Sequence, residues 1–333
     1  MIDRSLPLID LHRHLDGSLR LETVLDLARE HGIRLPAEDL EGFRPHVEVS
    51  GTTPGLMDFL ARFRWLLEVM VDPEACRRIA YENVEDAHRE GIDYLELRFS
   101  PWFMAERHGL DPAAVTEAIV DGVAAGRREF GVGVGLIGIL SRTYGPAVAT
   151  RELDALLTQR EHIVALDLAG DEVAFPAALF TEHFRRARDA GWRTTVHAGE
   201  AAGVASIWSA IRDLGAERIG HGVRAFEDPL LLEYLREHGI GIETNITSNV
   251  QTSSVASFET HPLKGWLDYG IVANINTDDP AISGIDLHHE FEVAAPAAGL
   301  SAADTRRTQE HALAMAFVSD SEREKLRRRL LPA

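Results

Sequence analysis

Side chains able to hold a metal or move protons recur in this chain at the ends of short apolar runs. His12 and His14 stand in "LIDLHRHLDG", His197 and Glu200 in "TVHAGE", His221 in "RIGHG", and Asp278 and Asp279 in "NINTDDP". His12, His14, His197 and Asp278 offer an N3O ligand set, which suits zinc and also admits other divalent ions. Glu200 and His221 are then left as an unligated acid and base. Each has an ordinary explanation when taken alone: a buried, hydrogen-bonded histidine, a glutamate at a helix start, a histidine in a turn. Their recurrence at equivalent places in the pattern favours one shared site.

Local spacing supports the grouping. Asp10, His12 and His14 alternate, and the period of two in a strand points alternate side chains to one face. Gly199 lets the chain turn sharply after His197, which can bring Glu200 beside it, and two glycines flank His221. Asp278 and Asp279 pose a question, because adjacent carboxylates push one another towards protonation. Neighbouring side chains diverge at a strand end, so Asp278 can face a cation while Asp279 reaches a ligand.

The elements that would bring these residues together are eight β-type runs: 6–12, 93–100, 133–141, 162–170, 192–199, 217–222, 239–247 and 270–279. Stretches of helical periodicity separate them. One of these, 111–131, opens with Asp111 as N-cap and Pro112 at the first helical position, and closes near Gly131. Strand then helix, eight times over, predicts an α/β protein with a (β/α)8 TIM barrel. The polar residues above then sit at the C-terminal ends of strands one, five, six and eight, which converge on one mouth. Two stretches exceed a minimal barrel. Between the first two strands, 53–70 carries apolar side chains at Leu56, Phe59, Leu60, Phe63, Leu66 and Leu67, the spacing of an amphipathic helix that either packs on the barrel or lids its mouth. After the last strand, the stretch beginning "DLHHEF" reads as helices closing the outside. No linker, repeat or low-complexity segment divides the chain, so 1–333 is expected to be one domain.

Composition removes several function classes. With 34 basic and 53 acidic residues the formal charge is −19, which opposes binding to nucleic acid or to an anionic membrane surface. No run approaches the ~18 uninterrupted apolar residues of a membrane span, and "MIDRSLPLID" lacks the features of an export signal. The single cysteine, Cys76, rules out a disulfide framework and a cysteine-based zinc site. A cytoplasmic location is expected. The two lysines, Lys264 and Lys325, lie away from the fourth strand, where "DLAGDE" stands. A carboxylated lysine bridging two metals is therefore excluded there, and one metal per chain is expected.

Six blocks, "HRHLDG" (12–17), "DLAGDE" (167–172), "TVHAGE" (195–200), "ERIGHG" (217–222), "TSNVQTS" (247–253) and "INTDDP" (275–280), stand in the order found in the adenosine deaminase family. "YLELRFSP" and "HPLKGWL" also resemble its bacterial members, so the likeness covers nearly the whole chain. The resemblance implies hydrolytic deamination of adenosine and 2′-deoxyadenosine to the inosine nucleosides plus ammonia, in purine salvage, with one Zn2+ per chain. It implies that His12, His14, His197 and Asp278 hold the metal, that Glu200 is the proton donor and that His221 assists the attacking water. Asp16 resembles the residue that meets the ribose 5′-hydroxyl, with His14 also near the sugar. Gly170 would offer its backbone N–H to purine N3, and Asp279 would meet N7. Leu56, Phe59, Leu60 and Phe63 resemble an apolar gate over the pocket. The chemistry agrees with these types. Water is a poor nucleophile and C6 of adenine a poor electrophile, so a metal that brings the pKa of water towards ~7 and an acid that protonates N1 answer both difficulties.

The chain departs from the family pattern at Thr244 and Asn245, where a Ser-Cys or Cys-Pro pair is expected, and pocket shape near the seventh strand should feel the change. The alternative is a related deaminase of adenine or of a modified adenine nucleoside. Adenine deaminases resemble this chain but tend to carry glutamate where it has Asp16, so Asp16 favours a nucleoside substrate. A metal- or nucleoside-binding protein without turnover would not need Glu200, His221 and Asp279 together.

Overall fold

The computed structural model describes residues 1–328. Among them, eight strands pair in parallel in the order β1 to β8: β1 (Ile9–His14), β2 (Tyr94–Phe99), β3 (Gly133–Ser141), β4 (Ile163–Ala169), β5 (Arg193–Ala198), β6 (Arg218–His221), β7 (Gly241–Thr244) and β8 (Ala273–Ile275). Helices connect successive strands, as expected for a (β/α)8 barrel. Strands covered on both faces read as nearly continuous apolar runs. In β2 every residue is buried, and the charged Glu96 and Arg98 find ionic partners inside the barrel.

Closure falls on the residues of greatest chemical interest. The His14 N–H donates to the Asp278 carbonyl at 2.8 Å, and the Asp278 N–H donates to the His12 carbonyl at 2.8 Å. The backbone bonds that join β1 to the segment after β8 thus fix the relative height of three candidate ligands.

The outer helices follow their sequence signals. Helix 112–130 begins with the Asp111 side chain accepting from the Ala113 N–H, and ends at Gly131 with φ 73°. It lies close against helix 73–89. A Cβ at Gly122 would meet the Arg77 carbonyl oxygen at 2.3 Å, so glycine permits that approach. At the other end of the chain, Leu313 and Ala312 of helix 302–315 and Leu326 of helix 320–328 cluster with Ile9 and Leu11, sealing the outside of β1. The expected C-terminal helices are present as far as residue 328, and the remainder of that stretch lies outside the described residues.

Three local expectations are corrected. The first strand was expected over 6–12 and runs from Ile9 to His14, because Pro7 has no N–H to give a ladder, so both histidines lie on the strand. The eighth strand ends at Ile275. Beyond it the Asn276 side chain accepts the Leu11 N–H at 2.8 Å and replaces the backbone ladder. The single helix expected over 53–70 is a helical turn Leu56–Leu60, a tighter turn Ala61–Phe63 and a turn Arg64–Leu67. In a three-residue turn, side chains three apart eclipse, which keeps both Leu60 and Phe63 on the cavity.

Candidate active site

Four ligand atoms converge at the mouth of the barrel. The His12 Nε2 lies 3.0 Å from the His197 Nε2, and the His14 Nε2 lies 3.3 Å from the same atom. The Asp278 Oδ1 is 3.2 Å from the His12 Nε2 and 3.3 Å from the His14 Nε2. Atoms held about 2.0–2.2 Å from a tetrahedral zinc stand about 3.3–3.5 Å apart, and these four separations lie close to that range.

The polarity of these atoms matches as well. The His12 Nδ1 is 2.7 Å from Glu243, and the His197 Nδ1 is 2.9 Å from Asp167. Those carboxylates draw the ring proton to Nδ1, which leaves the Nε2 lone pairs facing one another. Facing lone pairs beside the Asp278 Oδ1, itself buried without a hydrogen-bond partner, call for a cation. Arg98 bridges the two orienting carboxylates, at 2.7 Å to Asp167 and 2.8 Å to Glu243, and all three side chains are fully buried. Asp10 does not join the cluster. Its carboxylate accepts from the Arg13 Nε and the Thr277 hydroxyl, at a register irregularity in β1 that breaks the simple alternation.

Glu200 follows β5 on a turn held by an unexpected partner. The Glu172 carboxylate accepts four successive backbone N–H groups, those of Gly199, Glu200, Ala201 and Ala202, at 2.5 to 3.1 Å. Gly199 makes the turn at φ 72°. Burial pushes the Glu200 carboxyl well above the usual range, and the charges of Asp278 and Glu172 push it further. A glutamate with its proton affinity raised in this way suits the acid the chemistry needs. His221 lies opposite, with its Nε2 3.7 Å from the Glu200 Oε2 and 3.9 Å from the Asp278 Oδ2. Both His221 (φ 62°) and Asp278 (φ 64°) adopt the left-handed conformation, a cost of about 1–3 kcal/mol each that the barrel scaffold bears.

A cavity of about 360 Å³ opens beside these groups, within the range of small-molecule sites. Leu56, Phe59, Leu60 and Phe63 line it, so the apolar segment lids the mouth as well as packing on the barrel. Asp16, Gly170 and Asp279 line it too, and Oδ1 of Asp16 and Asp279 are buried without hydrogen-bond partners. Burial raises the Asp16 carboxyl to about 7, and burial with the charges of Asp278 and Asp16 raises that of Asp279 well above its ordinary value. Gly17 admits Asp279, since a Cβ at residue 17 would lie 1.8 Å from the Asp279 Oδ1. Gly170 has φ 109°, and a Cβ there would meet the Thr143 hydroxyl at 2.5 Å. Thr244 and Asn245 are buried outside the cavity lining. Asn245 lies instead behind the His221 ring.

Sequence reasoning passed over Glu172, Asp167, Glu243 and Arg98. Each is a charged residue at or in an apolar strand, a signal that was visible in "DLAGDE", "GIGIETN" and "YLELRFS".

A parallel (β/α)8 barrel with a histidine-aspartate cluster and a buried carboxylic acid at its C-terminal mouth defines a metal-dependent hydrolase of the amidohydrolase type. The family model "Adenosine deaminase" matches residues 7–332. An adenosine deaminase of Edwardsiella ictaluri is 59% identical over 327 residues, covering 98% of each chain. Among solved structures, an adenine deaminase from Arthrobacter aurescens superposes with a TM-score of 0.90 at 27% identity over 98% of each chain. An amidohydrolase from Burkholderia ambifaria with bound Zn gives 0.88 at 26%, covering 98% of this chain and 90% of that one. The chain belongs to the adenosine deaminase family and is a hydrolytic deaminase of adenosine.

Proposed function

We propose that residues 1–333 form one catalytic domain in which His12, His14, His197 and Asp278 hold a single Zn2+. The observation that carries this reading is the set of 3.0–3.3 Å contacts among three imidazole nitrogens and one unpartnered carboxylate oxygen. His221 is also close, since His12, His197, His221 and Asp278 each offer a ligand atom within 4.8 Å of the others. We leave it outside the ligand set because its Nε2 is 3.9 Å from the Asp278 carboxylate, where those of His12 and His14 are at 3.2 and 3.3 Å. Zinc bound there supplies Lewis acidity that brings the pKa of water towards neutrality.

The protein's own groups carry the rest. Asp16, with His14 beside it, meets the ribose, the Gly170 N–H meets purine N3, and Asp279 meets N7. Purine N7 is an acceptor, so Asp279 donates from its protonated form, in keeping with its raised proton affinity. Glu200 gives its proton to N1 as the water oxygen adds to C6, and His221 orients that water. One water proton restores Glu200, the other reaches the exocyclic amine, and the C6–N bond breaks to release ammonia. The apolar lid excludes bulk water and strengthens each polar contact.

Two features favour a nucleoside over the free base or a nucleotide. Asp16 offers an unpartnered buried oxygen that a sugar hydroxyl would satisfy. Among the described residues, the lining includes three aspartates and no arginine or lysine to meet a phosphate. No helix among the described residues is long and apolar enough to cross a membrane, which is compatible with the cytoplasmic location we propose. Spectrophotometric comparison of adenosine, adenine and AMP, alongside metal analysis, tests the reading. Adenosine should have the highest kcat/KM with one zinc per chain, and faster turnover of adenine would overturn the substrate assignment.

A further inference from the structure

His221 is held from behind by a chain of hydrogen bonds whose direction follows from its far end. That end is the backbone N–H of Leu263, which can only donate, and which donates to the His261 Nδ1 at 3.2 Å. His261 must then carry its proton on Nε2, which lies 3.1 Å from the Asn249 Oδ1. A carbonyl oxygen accepts that proton, so the amide of Asn249 is oriented with its NH2 towards His221, and the Asn249 Nδ2 donates to the His221 Nδ1 at 2.8 Å. Asn249, His261 and His221 are all buried. Burial lowers the His261 imidazole to about 3, so it remains neutral at working pH. The amide of Asn245 lies 3.4 Å from the His221 Nδ1 and 3.5 Å from its Nε2, too far to compete with Asn249.

We infer that Asn249 and His261 are positioning residues of the deamination, holding His221 in the tautomer whose proton is on Nε2, so that His221 meets the attacking water as a hydrogen-bond donor. With its Nδ1 occupied by the Asn249 amide, the neutral ring has no lone pair to offer on the catalytic side. Its Nε2–H faces the region between Glu200 and Asp278, at 3.7 and 3.9 Å from their oxygens. A donor there fixes which way the lone pairs of the water point, and proton transfer falls to Glu200. The relay lies in two blocks well apart from the ligand motifs, "TSNVQTS" and "HPLKGWL". Outer partners of metal-ligating histidines typically change activity about 10–100-fold when lost, and an effect of that order is expected for the partners of His221.

The inference rests on the proposed role of His221, and its test separates the two. Zinc-loaded protein labelled with 15N-histidine is examined by NMR, with the His221 resonances assigned by their loss in His221→Gln. The expected pattern is a lone-pair Nδ1 and a protonated Nε2. In Asn249→Asp the carboxylate can only accept, so His221 should move its proton to Nδ1. There kcat should fall about 10–100-fold, with KM and zinc content little changed. His261→Gln, which keeps an N–H donor at similar reach, should retain more activity than His261→Phe. A protonated Nδ1 in the parent protein, or an unchanged His221 pattern in Asn249→Asp, would overturn the inference even with adenosine turned over normally. Absence of adenosine turnover in the parent would instead overturn the functional reading.

Discussion

Glu172 holds Glu200 from behind. One carboxylate, three residues past the end of β4, gathers the backbone N–H groups on either side of the proposed catalytic acid, and its own charge raises the proton affinity of that acid. The same contact sets position and protonation together. Replacing Glu172 by Ala leaves four N–H donors without their acceptor, of which those of Gly199 and Glu200 are buried, and each buried unsatisfied group costs about 1–3 kcal/mol. Tm should therefore drop, and kcat should fall at least about tenfold. Glu172→Gln, which retains one acceptor oxygen, should lie between the two in both thermal melts and steady-state kinetics.

Glu200→Gln keeps the shape of the side chain and removes the transferable proton. Turnover should fall by about 10²–10⁴-fold, with zinc content unchanged, because Glu200 is outside the ligand set. Loss of metal together with activity would contradict its role as proton donor.

In the proposed reading, Asp279 carries the proton that N7 of the purine accepts. Asp279→Asn supplies a permanent donor in place of the neutral, protonated acid, so nucleoside affinity should stay within about tenfold of the parent, while Asp279→Ala should lose more. Calorimetric titration with a non-reactive purine nucleoside decides, and equal severe losses in both variants would refute the protonated form.

The metal also bears on stability. Without a cation, the Nε2 atoms of His12 and His14 stand 3.0 and 3.3 Å from that of His197 beside a buried carboxylate, an arrangement that a bound ion relieves. Chelation should lower Tm and abolish turnover, and adding zinc back should restore both. Binding to the folded state alone stabilises by about 2.7 kcal/mol when free zinc is 100 times Kd. A Tm indifferent to zinc would argue against a preformed site.

The barrel and the histidine-aspartate cluster at its mouth were legible because each depends on local chemistry: apolar runs of strand length, and histidines or aspartates where those runs end. What escaped reading depends on register and on distant partners. That His12 and His14 lie on β1, while Asp10 turns aside to Arg13 and Thr277, follows from an irregularity against β2 that no periodicity reveals. The pairing of Asn249 with His221 spans 28 residues, and that of Arg98 with Glu243 spans 145. Only the closed sheet brings such groups together. The segment 53–70 was half legible, its apolar stripe clear and its break into three short turns hidden.

Glu152 offers a stability test away from the metal. Its carboxyl is fully buried, with Oε1 2.6 Å from the Ser100 hydroxyl and Oε2 accepting the Ser141 N–H at 2.8 Å. Burial raises it from 4.5 to about 8. Between those values the folded protein keeps a proton that the unfolded chain has lost, so stability is greatest at the acid end of the window and declines as pH rises towards 8. A shift of this size corresponds to a few kcal/mol. The substitution Glu152→Gln places a neutral amide there at every pH and reproduces the hydrogen bonds of the protonated acid. That variant should lose less stability between about pH 5 and 8.5, with other titrating groups contributing equally to both proteins. Denaturant melts across that range measure the difference, and parallel curves for the two proteins would show that Glu152 is already ionised in the fold.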